Sequence, residues 1–277
     1  MSETQRTEES RRAHLERRFA QWAEMFQKIE GEGWDIIPLY ENGTPDFIAD
    51  CGQEEPRLAL RPKMENSNGT VIICAGGGFR YKTHHEAYQV AYALVKHNFD
   101  PVILDYRVAP HTSEQAIADG FAAIKKVREL RGGKVAIMGF SAGGMMAAAA
   151  GARYEDEQSR PDACVVCYGA MDFVNAVGGL SYDSASQREK ARTSTILNLS
   201  PDSPPYFIFQ TTADDPRFGL ELSMGLARNG IPFELHIFEG GRHGGGVGCV
   251  ARSNTERARC RGCQRGSYRC WSRALNV

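Results

Sequence analysis

The sequence predicts an α/β protein, with a mostly parallel central sheet flanked by helices and a small lid-like insertion over one end. Three observations carry this. From residue 70 onward, short apolar runs alternate with stretches whose apolar residues recur at helical spacing, which is the pattern of β-α-β units. One of the strand-to-helix junctions reads Gly139-Phe140-Ser141-Ala142-Gly143, with glycine on both sides of a serine. The chain of 277 residues, 42% hydrophobic and 24% charged, has the length and composition of one large globular domain.

At the N-terminus, Leu15, Phe19, Trp22, Phe26 and Ile29 recur at alternating steps of four and three, so residues 1–33 read as one amphipathic helix stopped by Gly31 and Gly33. Residues 34–69 are dense in Pro, Gly, Asn and Glu, with short extended pieces such as Trp34–Leu39 expected as antiparallel edge strands. No chemistry is visible there. Buried strands are expected at Val71–Cys74, Val102–Leu104, Val135–Met138, Cys164–Tyr168, Tyr206–Phe209 and Phe233–Phe238. Between them lie two helical stripes, Ala87, Val90, Ala91 and Leu94, then Ile117, Phe121, Ile124, Val127 and Leu130. A further helix runs from Phe218 to Arg228, stopped by Asn229-Gly230 and Pro232. Residues 169–204 break the rhythm with a polar, serine-rich segment read as a lid. No internal repeat or linker divides residues 34–248.

A formal net charge of −1 leaves no excess of either sign to recruit nucleic acid or an anionic membrane. The first thirty residues are rich in Arg and Glu and hold no apolar run like that of a signal peptide, and no segment has the length and apolarity of a membrane span, so a cytoplasmic protein is expected. Of the eight cysteines, Cys74, Cys164 and Cys167 sit in apolar runs and read as core thiols.

The Gly139–Gly143 junction has the G-x-S-x-G form in its required context, after a strand and before the helix-forming run Met145–Ala150. Glycines there permit a strained turn that projects the Ser141 hydroxyl at a helix N-terminus, where backbone N–H groups favour negative charge. A serine hydroxyl is a weak nucleophile and needs a base, which in turn needs an orienting carboxylate. The order expected on this architecture is Ser, then Asp or Glu, then His. His243 follows the last strand in a run of glycines, whereas His14, His84, His85, His97 and His111 precede the serine and His236 lies within a strand. Asp214 and Asp215 both follow the strand at Tyr206–Phe209, and either could be the acid; the competing role for both is helix capping ahead of Phe218. Acyl transfer also needs fixed N–H donors for the oxyanion. Ala142 N–H is expected to supply one, and Gly76, Gly77 and Gly78, just after the strand at Val71–Cys74, the others. The same glycines do not make a phosphate loop, since the Lys-Ser/Thr ending and the full G-x-G-x-x-G spacing are missing.

These residues resemble the α/β-hydrolase esterases of the acetyl-xylan esterase-like, or endo-xylanase B-like, group, related to hormone-sensitive-lipase-type enzymes. The resemblance runs from about Trp34 to Gly248 and rests on Cys74–Phe79, Leu104–Pro110, Gly139–Gly144, Ala213–Pro216 and Gly241–Gly246. It implies an α/β-hydrolase fold, a carboxylic ester hydrolase acting on small acyl esters such as acetylated sugars, and no cofactor. It also implies Asp215 rather than Asp214 as the acid, and a bracing role for the Asp105-Tyr106-Arg107 segment. Ala75 departs from the His or Pro that many relatives carry before the glycines.

A larger departure follows Gly248. Relatives close with a Trp-containing helix, whereas Cys249–Val277 is rich in Arg and Cys with no helical stripe, an abrupt change that reads as a shifted reading frame. A four-cysteine zinc site from Cys249, Cys260, Cys263 and Cys270 is the competing reading, although the second pair lacks ordinary spacing. Two other functions fit the same motifs: a serine peptidase of the prolyl-oligopeptidase type, for which the chain is short, and a catalytically silent binding protein. The leading expectation is a serine esterase with Ser141, His243 and Asp215, binding a small-molecule ester and no metal.

Overall fold

The computed structural model describes residues 3–170, 193–241 and 243–246. Most of the expected lid, and the tail with its cysteines and shifted-frame reading, lie outside the described residues.

Eight strands form one sheet: β1 (Asp35–Pro38), β2 (Arg57–Leu60), β3 (Thr70–Cys74), β4 (Asp100–Asp105), β5 (Val135–Phe140), β6 (Ala163–Cys167), β7 (Tyr206–Thr211) and β8 (Phe233–Phe238). Their order is β1-β2-β4-β3-β5-β6-β7-β8. β2 runs antiparallel to both β1 and β4, and every pairing from β4 to β8 is parallel. Among the described residues the α-helices are α1 (Glu3–Gly31), α2 (Tyr88–Val95), α3 (Ser113–Arg131), α4 (Ala142–Ala152) and α5 (Arg217–Arg228).

The central strands read as unbroken apolar runs because helices cover both faces of the sheet. Successive side chains alternate between the two. Ile72 and Cys74 of β3 and Val135 and Ile137 of β5 face one cluster with Phe121, Ile124 and Val127 of α3 and Met146 and Ala147 of α4. Val71 and Ile73, with Ala136 and Met138, face the other, with Trp22, Phe26 and Ile29 of α1 and Val90 and Leu94 of α2. The expected helical stripes are therefore the contact faces. Leu130 is the exception: in the last turn of α3 it is 50% exposed. At the other end, α3 starts with a Thr112/Gln115 capping box, in which each side chain meets the other's backbone N–H.

The antiparallel segment differs in part from its expectation. β1 is an edge strand, but β2, also from residues 34–69, lies inside the sheet with Leu58 and Ala59 fully buried. Only four residues long and followed by Pro62, it gives a weak periodic signal in the sequence. α1 is tied into the domain through Trp22, whose indole N–H donates to Asp105 Oδ1 at 2.8 Å. Among the described residues no helix is long and apolar enough to cross a membrane.

Ile137 is fully buried at the centre of β5. Ile137→Ala is expected to cost about 2–5 kcal/mol of unfolding free energy, and Leu130→Ala within about 0.5 kcal/mol of nothing. Urea denaturation midpoints check this, and equal losses at the two sites would contradict the assignment of the core face.

Candidate active site

At the end of β5 the chain turns into α4 within a single residue. That residue is Ser141, at φ 53° and ψ −116°, a conformation that L-residues rarely adopt and that the surroundings must hold. Ser141 N–H donates to Cys167 O at 2.9 Å, anchoring the turn to β6. The flanking glycines are required by backbone contact. A Cβ on Gly139 would stand 1.8 Å from Gly143 O, and one on Gly143 1.9 Å from Cys74 O. The G-x-S-x-G spacing is thus a packing constraint that leaves the serine side chain projecting.

The Ser141 hydroxyl donates to His243 Nε2 at 2.7 Å. A carboxylate only accepts, so the other ring nitrogen carries the proton, and His243 Nδ1 donates to Asp214 Oδ2 at 2.5 Å. Three strand spacings of about 4.8 Å place β8 roughly 14 Å from β5. His243 follows the end of β8 by five residues, enough to reach back over β6 and β7, since five residues span at most about 17 Å. The imidazole rests edge-on against the Tyr168 ring, with centroids 5.2 Å apart. Gly240 N–H donates to Thr212 Oγ1 at 3.0 Å, joining the histidine loop to the aspartate loop.

The expected acid, Asp215, is not the residue that meets His243. Its carboxylate accepts from Arg217 Nε at 2.9 Å and from Arg217 N–H, the first of α5, at 3.1 Å. The Arg217 guanidinium holds it below the usual carboxylate range. Asp214 instead accepts Asp215 N–H on Oδ1 at 2.9 Å and His243 on Oδ2. Two consecutive side chains on a turn leave in different directions, and an arginine two residues on captures the second. That Asp-x-Arg spacing is the signal that separates a carboxylate already held by a neighbouring guanidinium from a free one.

The glycine loop follows β3 and lies against the serine: a Cβ on Gly76 would be 2.9 Å from Ser141 Cβ. Of the four expected oxyanion donors, Gly76 is otherwise engaged, its N–H donating to Glu86 Oε2 at 2.8 Å. Among the described residues the N–H groups of Gly77 and Gly78 meet no acceptor. Ala142 is the first residue of α4, where an N–H has no intrahelical partner. The Asp105-Tyr106-Arg107 segment braces this region. Tyr106 OH donates to Ala75 O at 2.5 Å, and Lys82 Nζ, just beyond the loop, reaches Tyr106 O at 2.6 Å and Asp105 Oδ1 at 2.5 Å. Arg107 is paired with Asp119 at 2.7 Å.

Two site residues escaped the sequence reading. Glu86, 1% exposed, sits in a short 3-10 turn after the glycine loop. Tyr168, just past β6 at φ 41°, donates its hydroxyl to Glu86 Oε1 at 2.7 Å. Burial, then the charge of Glu86, pushes the Tyr168 hydroxyl well above its ordinary range, so it keeps the proton it donates. The sequence signal for the first was a carboxylate placed directly before the apolar stripe that begins at Ala87. Among the described residues no group of three or more His, Cys, Asp or Glu side chains is placed to hold a metal ion.

A parallel sheet with a serine on a strained strand-to-helix turn, an imidazole against it and a carboxylate behind the imidazole defines an α/β protein equipped for nucleophilic chemistry. The chain belongs to the alpha/beta hydrolase fold family, whose model matches residues 71–221, more than half of its length. Among curated proteins it is similar to an endo-1,4-beta-xylanase B from Butyrivibrio fibrisolvens, 23% identical over 202 residues. That match takes in 63% of this chain and 32% of the relative, so the chain spans about a third of the relative's length. Among solved structures it is similar to an acetyl ester-xyloside bifunctional hydrolase from Caldicellulosiruptor lactoaceticus, at 26% identity, TM-score 0.70, and 84% and 94% of the two chains covered. A carboxylesterase from Lactobacillus plantarum WCFS1 shares the fold at 18% identity and TM-score 0.61, with 80% of this chain and 94% of the other covered.

The two aspartates separate in a labelling experiment. Asp214→Asn is expected to slow fluorophosphonate labelling of Ser141 by about 100-fold or more, while Asp215→Asn leaves it within about threefold. The reverse ranking would return the orienting role to Asp215.

Proposed function

We propose that the chain is a carboxylic ester hydrolase that transfers a small acyl group, acetyl foremost, from its ester to water through a covalent acyl-enzyme. The observation that carries the reading is the line from Ser141 through His243 to Asp214, with bonds of 2.7 and 2.5 Å, set beside a glycine loop with unclaimed N–H groups.

In the first half-reaction Ser141 Oγ attacks the ester carbonyl carbon while His243 Nε2 takes its proton. Asp214 holds Nδ1–H and stabilises the imidazolium that forms. The carbonyl oxygen becomes an oxyanion, facing the N–H groups of Gly77, Gly78 and Ala142, with each such donor worth about 2.7–4 kcal/mol in comparable enzymes. The tetrahedral intermediate collapses, the C–O bond to the alcohol breaks, and the alcohol leaves with the proton from His243. Water then attacks the acyl-serine with His243 as base, releasing the acid and restoring the serine. No step calls on a cofactor.

Similarity to a protein described as an acetyl ester-xyloside bifunctional hydrolase supports acetylated carbohydrates as the substrate class. The serine, histidine and carboxylate in register favour an active enzyme over a silent binding protein.

Purified protein and its Ser141→Ala variant are to be compared on nitrophenyl acetate, butyrate and octanoate, and then on acetylated xylo-oligosaccharides by acetate release. The wild type is expected to prefer the acetate, and Ser141→Ala to lower kcat by about 10⁴–10⁶. Equal turnover by the variant would refute the nucleophile, and a preference for octanoate would move the substrate class toward lipids.

A further inference from the structure

We propose that Glu86 is a positioning residue that locks the oxyanion loop and the histidine loop into register around Ser141. The inference rests on the esterase reading above and assigns a role to a group which that chemistry does not itself consume.

Burying a carboxylate is costly unless its oxygens are met by donors. Glu86 is 1% exposed, and among the described residues no Lys or Arg forms an ion pair with it. Its oxygens are met by three neutral donors instead. Oε2 accepts Gly76 N–H at 2.8 Å and the Thr83 hydroxyl, and Oε1 accepts the Tyr168 hydroxyl at 2.7 Å. Gly76 opens the oxyanion loop, Thr83 closes the segment that leaves it, and Tyr168 directly follows the strand between those of Ser141 and Asp214. One side chain therefore joins the three segments that surround the nucleophile.

The chain of contacts continues to the base. The Tyr168 oxygen accepts Gly246 N–H at 2.8 Å, three residues after His243, and its ring supports the imidazole. The neighbouring His85 makes a second tie: its Nε2 lies 2.9 Å from Gly244 O, the carbonyl next to His243. A carbonyl accepts only, so Nε2 carries the proton and donates it. The turn at His84–Glu86 thus grips the oxyanion loop at Gly76 and the histidine loop at Gly244 directly, and reaches Gly246 through Tyr168. Among the described residues neither loop has helix or strand of its own, and both must hold their groups close to productive geometry for the oxyanion donors and the base to act together.

The geometry also says which substitution reads this role. Glu86→Gln keeps the volume but turns one oxygen into an NH₂ group. With the NH₂ toward Gly76 and Thr83 the oxyanion loop loses its tie; with it toward Tyr168 the hydroxyl must turn from donor to acceptor, and in either case the charge that the three donors met is gone. Tyr168→Phe cuts only the link to the histidine loop. Misplaced donors act on the transition state rather than on substrate binding, so kcat should fall and KM should not.

The experiment measures kcat and KM on nitrophenyl acetate, with melting temperature, for the wild type, Ser141→Ala, Glu86→Gln, Tyr168→Phe and the Glu86→Gln/Tyr168→Phe pair. Ile137→Val serves as a core control that loosens the domain away from the site. Glu86→Gln is expected to lower kcat by about 10–100-fold with KM within about threefold, and Tyr168→Phe by about 5–20-fold. The double variant is expected within about twofold of Glu86→Gln alone, because both act through one chain of contacts. Wild-type kcat in either single variant, or losses that multiply in the double, would overturn the proposal, as would an equal kcat loss in Ile137→Val at matched melting temperature. If Glu86→Gln does not fold, Tyr168→Phe decides by itself. Failure of the esterase reading shows separately, as no ester turnover by the wild type; the same variants are then ranked by the rate of fluorophosphonate labelling of Ser141, with the same order expected.

Discussion

Two backbone contacts at the end of β5, Gly139 against Gly143 and Gly143 against Cys74, set the terms for the rest of the site. They bring α4 down onto β5 and β3 more closely than any side chain permits. That approach forces the intervening residue into its strained conformation and puts the start of a helix beneath the serine. The strain is tolerated because the turn is held on two sides, by the bond from Ser141 N–H to β6 and by an α4 that is buried along almost its whole length. Alanine dominates α4, which combines high helix propensity with a surface small enough to lie close against two strands.

The parallel order of β4 to β8 does the remaining placement. Every strand in that set ends at the same edge of the sheet, so the glycine loop after β3, Ser141 after β5, Tyr168 after β6, Asp214 after β7 and His243 after β8 emerge side by side. Two buried carboxylates then hold the irregular segments. Asp105 gathers Trp22 of α1, Lys82 and Arg57, while Glu86 gathers the loops nearest the nucleophile. Both lie where removing one partner would leave charge or N–H groups uncompensated in a region shielded from water, which makes such networks all-or-none supports.

The alternation of apolar runs and helical stripes was enough to read six of the strands and the four helices α1, α2, α3 and α5 near their observed positions, because burial on both faces of β3 to β7 writes itself into composition; β8, expected as a buried strand, is instead an edge of the sheet with Phe233 37% and Ile237 36% exposed. β2 was less legible, since four residues carry too short a pattern. Leu130 fitted the stripe of α3 by spacing, yet in the helix's last turn it stands half exposed. At the site, the serine and histidine could be named from chain order and local glycines. The choice between Asp214 and Asp215 could not: one residue of difference in sequence is a difference of direction in space, decided by where Arg217 and His243 lie.

The sequence by itself determined the sheet, its two covered faces, the serine turn and the presence of a mobile-compatible glycine run around His243, because each is a local matter of apolar period and backbone freedom. Only the tertiary structure decided which carboxylate meets the imidazole, that Gly76 spends its N–H on Glu86, and that Tyr168 bridges two loops. Those depend on residues 10 and 82 positions from Glu86 in the chain being brought within hydrogen-bonding distance, and such pairings follow from the fold's geometry and leave no periodic mark in the sequence.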